Sequence, residues 1–557
     1  MLSTKIAQRL SSWLSLVPVV IALAAYLSHF ENRLEAFCQT VKSSFEEPSS
    51  DSGSEKFTLV VLPSGFDAAL QPWIELRRSQ GFVIQVMRPK TTAYGLTSEI
   101  RKRHKNSPLA NIVLIGDALN DSAPELVVPT DYVPAVVNVR LGSEPEIATD
   151  NSFADLTGNG LPDVPIGRMS VKTADELAVL VKKIIDYETS SDFGLWRRRI
   201  DFTAGTGGFG PVIDRAIEST AKQMITDLVP SSYETTMTFA SWTSPYCPDP
   251  RRFTQTTVAN LSRGGLFWVY IGHGHPQRLD YLQVPGGYFP IFGIDDCSEL
   301  SCEATQPIGL MLSCYVNAFD FQNDCLGEKL IRSPGGPIAV VGGTRVTMPY
   351  AMSLIALNMI NDYFVSGEST TLGELLLRSK LRLLESGADN EYRQMIDTMG
   401  KLFSPFADSL DDELLEHVKL FHILGDPLLT LRRPSTIKLA APNSAIAGST
   451  ILIKGVADMD GKLTLEFCHR RDQLPNRTRR RKEFVLDHEL LCEFHDTYMQ
   501  SNDHVCVAFH QSVMSGDFEV ELKIPENVKG PMVVRAHIES ENDFALGEVH
   551  VVVEKSR

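Results

Sequence analysis

The sequence predicts an α/β body built from two successive units and followed by an all-β sandwich. Three observations predict it. Short runs rich in Val and Ile alternate with stretches of helical spacing from Lys56 to about residue 430. The rhythm of strand, helix and strand implies parallel pairing through right-handed crossovers. After Thr436 the texture changes to short alternating strands with turn residues between them.

Taken in order, residues 1–55 read as a leader. Lys5 and Arg9 precede the uncharged apolar run from Trp13 to Leu27, which is short for a bilayer span and suits a secretory signal. An uncleaved anchor extending to Phe30 is the alternative, so membrane association through Trp13 to Phe30 stays open. "EEPSSDSGSE" at 46–55 then reads as a linker. Either reading places the remaining chain outside the cytoplasm, secreted or membrane-anchored.

Residues 56–195 form the first predicted α/β subdomain. Its strands are "FTLVVLPSGF", "FVIQVMRPK", "NIVLIGDA" and "DVPIGRMSV", with helices at "DAALQPWIELRRSQG", "TSEIRKRHKNS" and "TADELAVLVKKIIDYE". The pattern restarts over 196–433 with "RIDFTAGTGG", a helix around "DRAIESTAKQMITDL", and the strands "GGLFWVYIGHG", "PIGLMLSCYVN" and "GPIAVVGGTRVT". Residues 434–557 carry "STILIKGVA", "KLTLEFCH", "DFEVELKIP" and "GEVHVVVE", read as an Ig-like sandwich.

The composition narrows the function. With 557 residues, several domains are expected. A formal net charge of -16 disfavours nucleic acid as a partner. The one basic run, "RTRRRK" at 477–482, reads as a solvated loop. The chain has 9 cysteines, an odd number, and no C-x-x-C pair of zinc-ribbon type. Cys297 and Cys302 are near enough in sequence to pair.

In an open α/β sheet, ligands bind beyond the carboxyl ends of strands. "FWVYIGHGH" ends in His273 and "GLMLSCYVN" in Cys314. If these successive strands are neighbours, the two side chains face one cleft, where an imidazole can draw the proton from a thiol. Gly274 leaves its N–H unobstructed, and with the N–H of Cys314 it could receive a developing oxyanion. Taken singly, a cysteine closing an apolar strand is ordinarily a buried hydrophobe and a histidine at a strand end an ordinary surface group. A metal-dependent hydrolase using His273, His275 and a Cys or Asp is the second reading. It is disfavoured because residues one apart on an extended segment point to opposite faces. A secreted scaffold without activity is the third.

"YIGHG", "LMLSCYVNAFDF" and "CLGEKLIRSPGGPIAVVGGTRVT", with "DVPIGRMSVKTADELAVLVKKIIDYE" before them and "FHILGDPLLTLR" after, resemble the gingipain-type cysteine peptidases. The likeness runs from about 56 to 433. It implies a caspase-like α/β fold of two subdomains, polypeptide substrates, peptide-bond cleavage by a thiolate, and neither metal nor cofactor. His273 matches the catalytic histidine of that family and Cys314 its nucleophile. Asp163 in "DVPIGR" takes the place of an acidic residue that orients the histidine. The family's preference for basic side chains is not carried over to this chain, and the resemblance asks for no imidazole at His275. The turn from Asp155 to Asp163, "DLTGNGLPD", also resembles a degenerate calcium loop, but its oxygen ligands are few.

Overall fold

The computed structural model describes residues 56–207, 222–223, 225–385, 390–473, 481 and 483–555. The apolar run from Trp13 to Phe30 and most of the helix expected around "DRAIESTAKQMITDL" lie outside them. Among the described residues no helix is long and apolar enough to cross a membrane.

Both α/β units contribute to one ten-stranded sheet. Its strands are β1 (Lys56–Val61), β2 (Phe82–Met87), β3 (Asn111–Ile115), β4 (Ile166–Met169), β5 (Arg199–Ala204), β6 (Glu234–Phe239), β7 (Phe267–Ile271), β8 (Ile308–Leu312), β9 (Ala339–Gly343) and β10 (Phe421–Leu424). The spatial order is β2-β1-β3-β4-β10-β9-β8-β7-β5-β6. Pairing is parallel within each half, as the alternation of strand and helix implies. The seam is not. β10 runs parallel to β4 but antiparallel to β9. The reversal follows from the local chain, because β10 leaves a helix ending at Leu420 with no intervening loop.

Helices cover the sheet. α1 (Asp67–Ser79), α2 (Ala93–Asn106) and α3 (Ala174–Thr189) belong to the first half; α4 (Phe253–Ser262), α5 (Leu326–Arg332), α6 (Pro349–Asn361), α7 (Leu372–Leu381), α8 (Glu391–Phe403) and α9 (Leu410–Leu420) belong to the second. Their starts are chemically marked. Thr173 accepts from the Glu176 N–H at 3.2 Å, and Thr371 with Glu374 forms a capping box. Val60, Val113, Met169, Trp268, Met311, Val340 and Ile423 are buried in one core that spans both halves. Such burial on both faces is why the strands read as continuous apolar runs.

The C-terminal region has a core of its own, with Ile453, Leu465, Phe467, Val534 and Val551 buried. Thr450–Ala457 and Gly516–Lys523 pair in one sheet; Gly461–His469, Val505–Val513, Gly530–Glu539 and Phe544–Glu554 form most of another. The region is not all-β as the sequence suggested. A helix, α10 (His488–Asn502), stands between two of these strands. Its buried residues Leu491, Phe494, Tyr498 and Ser501 recur at helical spacing, and the Asp487 side chain caps it. α10 docks on the sheet edge: Asn502 bonds the N–H and C=O of Met237 at 2.8 and 3.0 Å, and Tyr498 bonds Thr238 at 3.0 Å.

Candidate active site

β7 and β8 are neighbours and pair in parallel, with Ile271 opposite Leu312. Two residues further along each strand stand His273 and Cys314. The register therefore carries both to the same level of the same sheet border. The Gly272 N–H still donates to the Leu312 carbonyl at 3.3 Å, so the strands remain joined almost to the reactive residues. Beyond them Gly274 crosses directly over the end of β8. A Cβ at residue 274 would lie 2.4 Å from the Cys314 carbonyl oxygen and 2.9 Å from Ser313 Oγ. Only glycine permits this approach.

The histidine turn is braced from below. The Tyr270 hydroxyl donates to the His273 carbonyl at 2.6 Å and accepts from the Asp280 N–H at 3.3 Å. Burial holds the Tyr270 phenol well above its ordinary range, so it stays protonated and able to donate. The His273 ring is exposed. Gly274–His275 and Arg278–Leu279 then form a two-rung hairpin, with His275 opposite Arg278. Partial burial and the Arg278 charge both lower the His275 pKa.

Cys314 is half-buried at the tip of β8. Tyr315, directly after it, has φ 59°. A bulky residue in this region is rare, and here the kink turns the chain away so that the sulfur stands at the border. The kink is pinned on both sides. The Tyr315 N–H donates to the Arg345 carbonyl at 3.1 Å, and its hydroxyl donates to Glu144 at 2.9 Å. Burial and Glu144 push the Tyr315 phenol up to about 12. Among the described residues, the hydrogen bonds of the sulfur all go to Thr347: its N–H at 3.3 Å, its hydroxyl at 3.6 Å and its carbonyl at 3.7 Å.

The other sequence candidates sit as follows. Asp163 precedes β4, which β10, β9 and β8 separate from β7. Its carboxylate accepts from the N–H groups of Leu156 and Thr157 at 2.7 and 2.9 Å, so it closes its own loop, and none of its bonds goes to His273. In the same loop the Asp155 carboxylate accepts from Gly158, Asn159 and Gly160 N–H groups and from Arg101. Its oxygens are engaged as turn acceptors. Cys297 and Cys302, close enough in sequence to pair, are both free thiols. In the basic run, Arg481 is not solvated: it donates to the Trp242, Ser244, Cys247 and Phe494 carbonyls.

Among the described residues, Asp117, Asp324 and Glu328 alone form a group close enough to share a metal ion. Lys172 and Arg332 already neutralise that group, at 2.5 Å from Asp324 and 3.1 Å from Asp117. It contains neither His273, His275 nor Cys314. The residues that sequence reasoning missed are Tyr270, Tyr315 and Thr347. Their apolar or β-branched surroundings gave no sign that each holds part of this site.

Two motifs used to read the family are scaffold. Gly167 of "IGR" leaves room for Pro427, whose Cδ would lie 2.8 Å from a Cβ there. Arg168 is buried and paired to Asp150 through two bonds of 2.8 Å. Asp426 of "LGDP" accepts from the Trp73 indole and the buried Arg77.

The chain matches the model of peptidase family C25 over residues 52–432. Lys-gingipain of Porphyromonas gingivalis is 21% identical over 291 residues, which is 51% of this chain and 15% of that protein. The crystal structure of the Arg-specific cysteine proteinase gingipain R superposes with a TM-score of 0.51 at 14% identity, covering 91% of this chain and all 100% of that one. Another solved structure, described only as a protease, gives 0.52 at 15% identity over 90% of this chain and 98% of its own. At such identities these two likenesses concern the fold. The chain belongs to peptidase family C25.

Proposed function

We propose that the protein is a cysteine endopeptidase in which Cys314 is the nucleophile and His273 the proton carrier. The observation that supports this most is the register of β7 and β8, which ends two adjacent strands in an imidazole and a thiol at one level. In the reaction, His273 takes the thiol proton and the sulfur attacks the scissile carbonyl carbon. A C–S bond forms as the carbonyl π electrons move to oxygen, where the N–H groups of Gly274 and Cys314 receive the charge. Collapse expels the amine, which takes the proton from the imidazolium. His273 then deprotonates a water that cleaves the thioester and returns the thiol.

Asp163 has no step in this scheme, because its carboxylate is spent within its own loop. The substrates are polypeptides, the catalytic region works outside the cytoplasm, and the C-terminal region is an Ig-like domain. Cys314→Ala should lower cleavage of an unfolded polypeptide by roughly a thousandfold or more, and a chelator should leave the wild type unchanged. Retained cleavage in the variant, lost on chelation, would refute the reading.

A further inference from the structure

We propose that Thr347 is a catalytic residue, whose main-chain N–H and side-chain hydroxyl together hold the Cys314 sulfur in its thiolate form. The inference deepens the peptidase reading and rests on it for its catalytic meaning. Its geometry is independent of that reading. Two donors of one residue converge on one sulfur, at 3.3 Å from the nitrogen and 3.6 Å from the oxygen. The same residue offers an acceptor, its carbonyl, at 3.7 Å. A neutral thiol can give its proton to that carbonyl. After the proton leaves for His273, the sulfur turns acceptor, and the N–H and hydroxyl face it. Hydrogen bonds to an ionised partner are about twice as strong as neutral ones.

The hydroxyl has a second neighbour, the Met352 sulfur at 2.9 Å. It can donate to one sulfur at a time. A thioether is a weak acceptor and a thiolate a strong one, so ionisation of Cys314 draws the hydroxyl toward it. No proton is transferred from Thr347, and attack on the carbonyl carbon releases both donors as the C–S bond forms.

The segment carrying Thr347 is held independently of Cys314. Thr347 is buried, and its methyl packs on Gly343, where a Cβ would lie 2.5 Å away. The next N–H, that of Met348, donates to His417 Nε2 at 2.9 Å, while His417 Nδ1 donates to the Glu413 carbonyl at 2.8 Å. Glu413 also accepts from the Ala351 N–H at 3.0 Å. α9 thus fixes the height of the segment, and the Tyr315 and Asn317 N–H groups zip it to the turn after Cys314 at 3.1 Å each.

The test is the rate of alkylation of Cys314 by iodoacetamide, read by mass spectrometry of its peptide. It compares the wild type with Thr347→Val, Thr347→Ser and Thr347→Ala. Val keeps the shape and removes the hydroxyl; Ser and Ala both lose the methyl and differ only in the hydroxyl. Near pH 6.5 the Val and Ala rates should fall by about five- to tenfold, with Ser near wild type, while all four converge near pH 9.5 where thiols ionise unaided. If Val fails to fold, the comparison of Ser with Ala decides alone. Equal rates for Ser and Ala near pH 6.5 overturn the inference. So does a loss in Ala that persists undiminished near pH 9.5. The readout needs no peptide cleavage. The predicted alkylation profile without cleavage would sink only the peptidase reading. Cleavage that depends on Cys314 but is indifferent to the Thr347 hydroxyl would sink only this inference.

Discussion

A methyl group on residue 274 has nowhere to go: the Cys314 carbonyl oxygen stands 2.4 Å from its position and Ser313 Oγ 2.9 Å. Gly274→Ala must therefore push the histidine turn away from the end of β8. The expected result is at least a tenfold loss of cleavage, with destabilisation of about 1–3 kcal/mol, checked by thermal denaturation beside an activity assay. Near-wild-type activity in this variant would mean that the approach of the two strand ends is irrelevant to the chemistry. That His273 and Cys314 follow the ends of neighbouring strands was legible, because successive strands of an α/β sheet usually pair. Thr347 was not. It comes from a third segment whose position depends on α9 rather than on any local pattern. For Gly274 the sequence suggested an N–H donor, whereas the structure shows close contact as a reason for glycine.

At the scale of elements, α9 is the brace of the site. One buried face holds two loops: Glu416 accepts from the N–H groups of Val136, Val137 and Asn138, and His417 accepts from Met348. Burial lowers the His417 pKa to about 4, so the ring is neutral and can accept. In the unfolded chain the group titrates near 6.5, and between about pH 6.5 and 4 the unfolded state binds the extra proton. The stabilising contribution of His417 is thus complete above about pH 6.5 and lost as the pH falls toward 4. Across that window the wild type should lose up to about 3 kcal/mol more than His417→Gln, measured by denaturant titration at each pH. Identical slopes would show that His417 is already charged in the folded state.

The elements themselves were largely legible. The buried strands gave continuous apolar runs and α3 a clear amphipathic stripe beginning at its Thr173 cap. β6, "ETTMTF", escaped because it is a half-polar edge strand, and β10 because "FHIL" continues a helix without a break. α10 carried a helical period inside a region otherwise written in strands, and the surrounding alternation masked it.

For the whole molecule, the second α/β half and the C-terminal region are tied by buried charge. Arg198, ahead of β5, pairs with Glu466 at 2.7 Å, and Arg535 pairs with the same carboxylate at 2.6 Å. Burial opposes the charge on Glu466, yet the two arginines keep its pKa below the ordinary value. Glu466→Leu would strip two buried guanidinium groups of the carboxylate they hydrogen-bond. It should destabilise the protein by about 3–5 kcal/mol, read as a fall in the denaturation midpoint, while the chemistry of Cys314 persists in the folded fraction. Nothing in the sequence announced this triad, because its members lie far apart in the chain and each is one charged residue among many. The site, too, exists only through the assembled sheet, since β7, β8 and the segment after β9 each supply one part of it. Covalent capture by a peptidyl acyloxymethyl ketone, mapped by mass spectrometry, tests the central claim most directly. The account predicts a single adduct on Cys314 that abolishes cleavage and is greatly slowed in His273→Ala. Full modification of Cys314 with cleavage undiminished would contradict it.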